Sequence, residues 1–218
     1  MRYLCSYIGL AAFLGCVAAQ KGSILIGGAL TPQVTWIGFA ESEERSKPTP
    51  SFGLGAMGRY GLSDRLSLGV DLLFSLQAQQ EKKEVIRGGS SYKYKSRETC
   101  SYLKLPIQAV YALGSGNVGI ELMGGLQPMI LMGARYKRTT TYPDGTQKTI
   151  EESDTEGLNP FVIGVVLGAG LRFELANNLF LAPQLRFDHS LTNIYSINLI
   201  RGRTGTFALL AGLYYQIK

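Results

Sequence analysis

The sequence predicts an all-β fold: an eight-stranded antiparallel up-and-down transmembrane β-barrel, following a cleaved signal peptide. Three observations predict it. Long segments alternate apolar and other residues with a period of two. The connections between those segments are short and long in strict turn. The chain also opens with an export leader, and no later run is apolar for long enough to cross a membrane as a helix.

The leader is residues 1–19, MRYLCSYIGLAAFLGCVAA. Arg2 supplies a short positive start, Leu4 to Val17 an apolar stretch, and Val17-Ala18-Ala19 a small-residue site that places cleavage after Ala19. The barrel domain is then 20–218. Phe13-Leu14-Gly15-Cys16 offers a competing lipoprotein-type cleavage that would leave Cys16 acylated. The first reading is preferred, because the box usually has Leu where this chain has Phe13, and a spanning barrel needs no lipid anchor.

The strands follow in order. Ile24, Ile26, Gly28 and Leu30 mark the first, and Phe52, Leu54, Ala56, Gly58 and Tyr60 the second. Leu66 to Leu76 is the third, Leu103 to Tyr111 the fourth, Val118 to Leu126 the fifth and Phe161 to Phe173 the sixth. Leu179 to Phe187 is the seventh, with Pro183 inside it expected to sit at a bulge, and Phe207 to Ile217 is the eighth. A ~25 Å apolar band crossed at ~40° takes roughly 10 residues per strand, which these runs supply. The expected tight turns are Gly61 to Arg65, Gly114 to Asn117 and Glu174 to Asn178. The expected long loops are Ile37 to Thr49, Ala78 to Thr99, Ala134 to Asn159 and His189 to Arg203. Tyr142-Pro143-Asp144-Gly145, between Thr-rich runs, marks a hairpin above the membrane.

Composition agrees. Charged residues are 17% of the chain, against about a quarter in soluble domains. The 27 glycines disfavour a helical bundle, where each costs about 1 kcal/mol. The net charge of +6, or +5 without Arg2, is scattered, with its densest part in the 82–97 loop; no basic helix or aromatic-flanked basic strip of a nucleic-acid binder is present. Of three cysteines only Cys100 follows the leader, which excludes an internal disulfide; it reads as an inert small residue near a strand start.

The apolar face is expected to point outward. The other face carries Gly53, Gly55, Gly69, Gly119, Gly125, Gly164, Gly168 and Gly170, suiting a narrow lumen. It also carries single charges deep in the strands: Arg59, Asp71, Lys104, Glu121, Arg172 and Arg186, with Asp188 near the rim. On the lipid side a mid-membrane Arg or Lys costs about 2–4 kcal/mol. Inside, they can pair, so a polar, paired and largely plugged interior is expected rather than an open pore. Trp36, Tyr60, Tyr102, Tyr111, Phe173, Phe187 and Tyr215 are candidates for interfacial girdles.

Tyr102-Leu103-Lys104-Leu105-Pro106-Ile107, followed by Val110-Tyr111-Ala112-Leu113, resembles the PorT-like outer-membrane barrels of Bacteroidota along the mature chain from Gln20 to Lys218. That resemblance implies an eight-stranded membrane barrel; PorT itself is tied to the type IX secretion system. Gly212, Tyr215 and Ile217 resemble the C-terminal signal read by the barrel-assembly machinery, with departures at Leu210 and Lys218.

No catalytic, cofactor or metal site is expected. The single histidine, His189, stands between Asp188 and Ser190, and adjacent strand residues face opposite ways. G-x-S-x-G, H-E-x-x-H and P-loop patterns are absent. The leading function is a non-enzymatic barrel that contacts outer-membrane lipid and acts through its loops, as an anchor or as the partner of a membrane protein complex. A solute- or lipid-binding barrel is the alternative, and lipid-modifying chemistry at His189 and Ser190 comes third. The sequence does not set the oligomeric state.

Overall fold

The computed structural model describes residues 21–39, 46–87, 90–113, 118–196 and 201–217. The leader and the expected turn Gly114 to Asn117 lie outside the described residues. Among the described residues ten strands follow one another: β1 (Ile24–Phe39), β2 (Thr49–Gly61), β3 (Leu66–Arg87), β4 (Ser90–Lys104), β5 (Ile107–Leu113), β6 (Val118–Thr141), β7 (Gln147–Glu152), β8 (Phe161–Ala176), β9 (Leu179–Ser190) and β10 (Gly202–Ile217).

The ten strands build an eight-stranded wall. β4 and β5 are one wall strand broken at Leu105-Pro106, since both pair with β3 on one side and β6 on the other. Proline brings no N–H; across the break, Asp71 N donates to Pro106 O at 3.0 Å and Leu105 N to Pro128 O at 2.9 Å. β7 is the return arm of a hairpin on β6. Around the wall the order is β2-β1-β10-β9-β8-β6, then β4 with β5, then β3, and β3 pairs back to β2 from Gly53↔Ser75 to Gly61↔Ser67. Every ladder is antiparallel, and the pairing returns to its start, which satisfies the backbone without a free edge in the wall.

The alternation sorts outward and inward. Leu30, Leu54, Leu72, Leu122, Leu167 and Leu209 are exposed on the outside, and Leu185 is 68% exposed. Their neighbours along each strand are buried, apart from the half-buried glycines Gly55 and Gly168. A continuous exposed apolar band of this size is a surface made for lipid. Tyr60, Tyr111 and Tyr215 ring one end of the band. Trp36, Phe187 and Phe207 cluster toward the other, with centroids 5.0–6.2 Å apart. Inward glycines let the narrow wall close: a Cβ on Gly125 would lie 2.0 Å from Ile107 O, and one on Gly55 2.1 Å from Leu72 O.

Four expectations are corrected. Ala78 to Thr99 is not a loop: β3 continues to Arg87, and β4 returns from Ser90 with an unbroken ladder. Above the membrane both faces meet water, so polar and apolar residues no longer alternate, yet Val85, Ile86, Tyr92, Tyr94 and Thr99 still favour extended backbone. Pro183 sits at no bulge; the β8–β9 register passes it unshifted, from Gly170↔Gln184 to Phe173↔Leu181. The register shifts lie instead at Ser101/Tyr102 and at Glu174/Ala176. Tyr102 is in no girdle; it is 1% exposed and points inside. Cys100 lies well within β4, buried on the inner face.

Candidate functional site: the filled lumen and the hairpins above it

Alternation places the inward side chains of eight strands in one narrow tube, and these residues stack in layers. Near the tight-turn end lies an apolar layer of Leu25, Ala29, Met57, Phe180, Ala182, Leu210 and Tyr214. Near the hairpin end lies a second, formed by Ile37, Cys100, Tyr102, Met129, Val162 and Ile194. Between and beside them stand the six inward charges, now with partners.

Arg59 on β2 donates from Nη1 to both carboxylate oxygens of Glu121 on β6, at 2.7 and 2.6 Å. Arg172 on β8 reaches the same carboxylate, with Nη1 3.6 Å from Oε1. The two guanidiniums stack over inward rings, Arg59 4.6 Å from the Tyr214 centroid and Arg172 5.7 Å from that of Phe180. Arg186 on β9 donates from Nη1 to Asp71 Oδ2 on β3 at 2.8 Å, and from Nε and Nη2 to Gln184 Oε1. Gln108 Nε2 adds a donor to Asp71 Oδ2 at 3.0 Å. Lys104 Nζ donates to Asp188 Oδ2 at 2.9 Å, which makes Asp188 part of the interior. Such groups are tolerable in a dry lumen only as hydrogen-bonded pairs. The Arg186–Asp71 pair joins strands on opposite sides of the ring. Two interior voids sit among these layers, one of about 20 Å³ against Tyr102 and Gln77 and one of about 10 Å³ between Lys104, Gln127 and Arg186. Each is the size of about one water.

The segment after β9 closes over the outer end. Ile194 is 2% exposed in the upper apolar layer. Asn159 Nδ2 donates to the carbonyls of Asn193 at 2.7 Å and Tyr195 at 2.9 Å, and Gly202 N donates to Asn193 Oδ1 at 2.8 Å. Burial pushes the Tyr195 phenol up to about 12. Beyond this cover stand two hairpins. In the β6–β7 tip Gly145 has φ +84°, and Asp144 Oδ1 accepts from Thr146 N at 2.9 Å and Thr146 Oγ1 at 2.7 Å. Those two bonds hold the Asp144 carboxyl below its usual range. The Tyr92 and Tyr142 rings meet edge-on at 6.1 Å, linking the two hairpins.

His189 and Ser190 part company. His189 stacks on Phe187 on the outer side, while Ser190 is 1% exposed and its Oγ accepts from Thr204 N inside. The two side chains lie on opposite faces of β9. Among the described residues no group of three or more His, Cys, Asp or Glu is placed to hold a metal ion.

The inward charges are legible in the sequence; the large apolar inward residues, Leu25, Met57, Tyr102, Leu210 and Tyr214, are harder to see there. Their signal was present: each interrupts the small or polar face of its strand. The family model described as "Outer membrane protein beta-barrel domain" matches residues 18–196. The chain belongs to that family. This outer-membrane β-barrel accordingly resides in the outer membrane, with its apolar wall in lipid. Among solved structures it is similar to neisserial surface protein A (12% identity, TM-score 0.47, covering 89% of this chain and 99% of that one). It is also similar to OprG of Pseudomonas aeruginosa (12%, 0.45, 92% and 98%) and to Ail of Yersinia pestis (12%, 0.38, 91% and 100%). No curated protein matches the sequence.

Proposed function

We propose that this outer-membrane barrel is a non-enzymatic anchor and interaction component: a plugged cylinder that carries stiff extracellular hairpins to a partner in the membrane, as a subunit of a protein secretion or uptake complex. The observation that carries this reading is the contrast along the barrel axis. The lumen is crossed by ion pairs between distant strands, while β3–β4 and β6–β7 extend the wall as hydrogen-bonded ladders beyond it. A transport protein needs a path; this arrangement spends its inward residues on filling one. The resemblance of the YLKLPI segment at 102–107 to PorT-like barrels supports this reading, as does a leader with a small-residue site at Ala19.

A second reading, a lipid-binding barrel, draws on one observation. An apolar groove of about 830 Å³ lies along the outer wall between Pro32, Val34, Leu167, Leu185, Phe207 and Leu209. An acyl chain suits such a groove.

Extraction of the native protein in mild detergent tests the first reading. A partner co-purifying in comparable amount, and lost when 143–146 are deleted, supports it. A clean monomer with conductance in planar bilayers overturns it, and a clean monomer carrying tightly held lipid favours the second.

A further inference from the structure

The outer surface of the barrel changes character where the β4 and β6 strands leave the apolar band. Tyr102 and Cys100 point inward, so the alternate residues Ser101, Thr99, Arg97, Lys95 and Lys93 share the outward face. Their register partners on β6 are Gly133, Arg135, Lys137, Thr139 and Thr141, and cross-strand partners lie on the same side of a sheet. Lys93, Lys95, Arg97, Arg135 and Lys137 are all exposed. Five cations thus stand on one face of two neighbouring strands, beginning about 10 Å above the exposed Met132, at ~3.3 Å per residue.

Two acidic residues share this face among the described residues. Glu151 on β7 pairs with Lys137 at 2.5 Å. Glu84 on β3, the register partner of Lys93, accepts from the Ser91 hydroxyl. Arg97 lies directly opposite Lys137, and the carboxylate of Glu151 stands on the far side of Lys137, on β7, where it offsets one of the two charges. None of Lys93, Lys95, Arg97 and Arg135 is in an ion pair among the described residues. The other face of the same ladder differs: Tyr136, Glu98 and Ser96 stand there, with Arg138 laid over Tyr136.

We propose that this strip binds the phosphate groups of phosphorylated glycolipid in the outer leaflet. The chemistry fits in three ways. The strip continues the lipid-facing wall, so lipid molecules already line up beneath it. Its lower end, Arg135 and then Arg97 with Lys137, stands roughly 10 to 17 Å beyond Met132 at ~3.3 Å per residue, where long side chains reach back toward headgroup phosphates, while Lys95 and Lys93 rise above that layer. Paired guanidinium and ammonium groups are the donors that phosphate oxygens take. The occupant is a lipid rather than a protein because Arg135, Arg97 and Lys137 are the cations of this face nearest the apolar band, below the hairpin tips. The inference is independent of the partner reading above.

The test uses the full barrel in neutral detergent, with thermal unfolding as readout. Purified lipopolysaccharide raises the midpoint, its dephosphorylated form raises it several-fold less, and 0.5 M salt weakens the shift, on the order of a 4 Å screening length. In Arg97→Gln/Arg135→Gln the shift falls several-fold. In the control Arg138→Gln/Lys148→Gln, which removes the same charge from the opposite face, it is kept. Both variants change exposed side chains, and their unfolding without lipid reports folding directly. The proposal is overturned if the control loses the shift equally, if dephosphorylated lipid acts as well, or if heparin, a soluble polyanion, produces the shift and lipopolysaccharide does not.

Discussion

The same chain makes β-structure in two ways. Within the membrane each strand has a lipid side and a lumen side, and the sequence alternates because the two sides are different solvents. Above it, β3, β4, β6 and β7 continue as ladders although Glu81 to Arg87 and Lys93 to Arg97 follow no such pattern. In the wall, side chains select the register, since a slip of one residue would turn Asp71 and Glu121 into lipid. In the hairpins, backbone hydrogen bonds and turn chemistry suffice. Alternation therefore reports an asymmetric environment rather than the strand itself.

Charge removal inside is the severest way to press that contrast. Asp71→Asn or Glu121→Gln leaves buried cations without their counterion, and a loss of about 3–5 kcal/mol is expected in urea unfolding from detergent. The double change Asp71→Leu/Arg186→Met should be much milder, since it removes both charges. If truncating 143–146 costs as much as Asp71→Asn, the division between wall and hairpin fails.

Glycine substitution comes next. Gly125→Ala forces a Cβ against Ile107 O and should cost about 1–3 kcal/mol, whereas Gly133→Ala, with open space around it, should cost little in the same assay. Smaller again is the response of the cover to alkali. Free phenols titrate near 10, and the closed cover holds the Tyr195 proton up to about 12. Between those values the released segment binds fewer protons than the closed one, so closure weakens as pH rises through the window. Hydrogen exchange at residues 193–195 should quicken there by more than the base-catalysed rise of a free amide, and Tyr195→Phe should remove the excess. Gly145→Ala, at φ +84°, should loosen only the β6–β7 tip by about 1 kcal/mol, seen as local exchange with the global midpoint unchanged. Lys137→Gln should leave that midpoint where it is, because its pair with Glu151 is exposed to solvent.

What was legible follows from the same physics. Leu68, Leu122 and Leu209 announced an outward face because lipid accepts only such residues, and the charges between them had to point inward. The turn at Asp144-Gly145 carried its own chemistry. The partners of those charges were not legible, since Arg186 meets Asp71 only because ring closure sets β9 across from β3. Asp188 read as a rim residue for the same reason, and Tyr102 read as a girdle aromatic because aromatics suit both an interface and a core. The β3–β4 extension was hidden by the loss of alternation above the membrane.

The cross-lumen pairs bear on how the barrel is completed. Asp71 and Lys104 belong to the first half of the chain, while their partners Arg186 and Asp188 arrive on β9. Until that strand is in place, the early half of the sheet presents bare ions that must keep their hydration. A barrel without β9 in place would therefore keep water about Asp71 and Lys104, and seating that strand is what lets this part of the lumen dry.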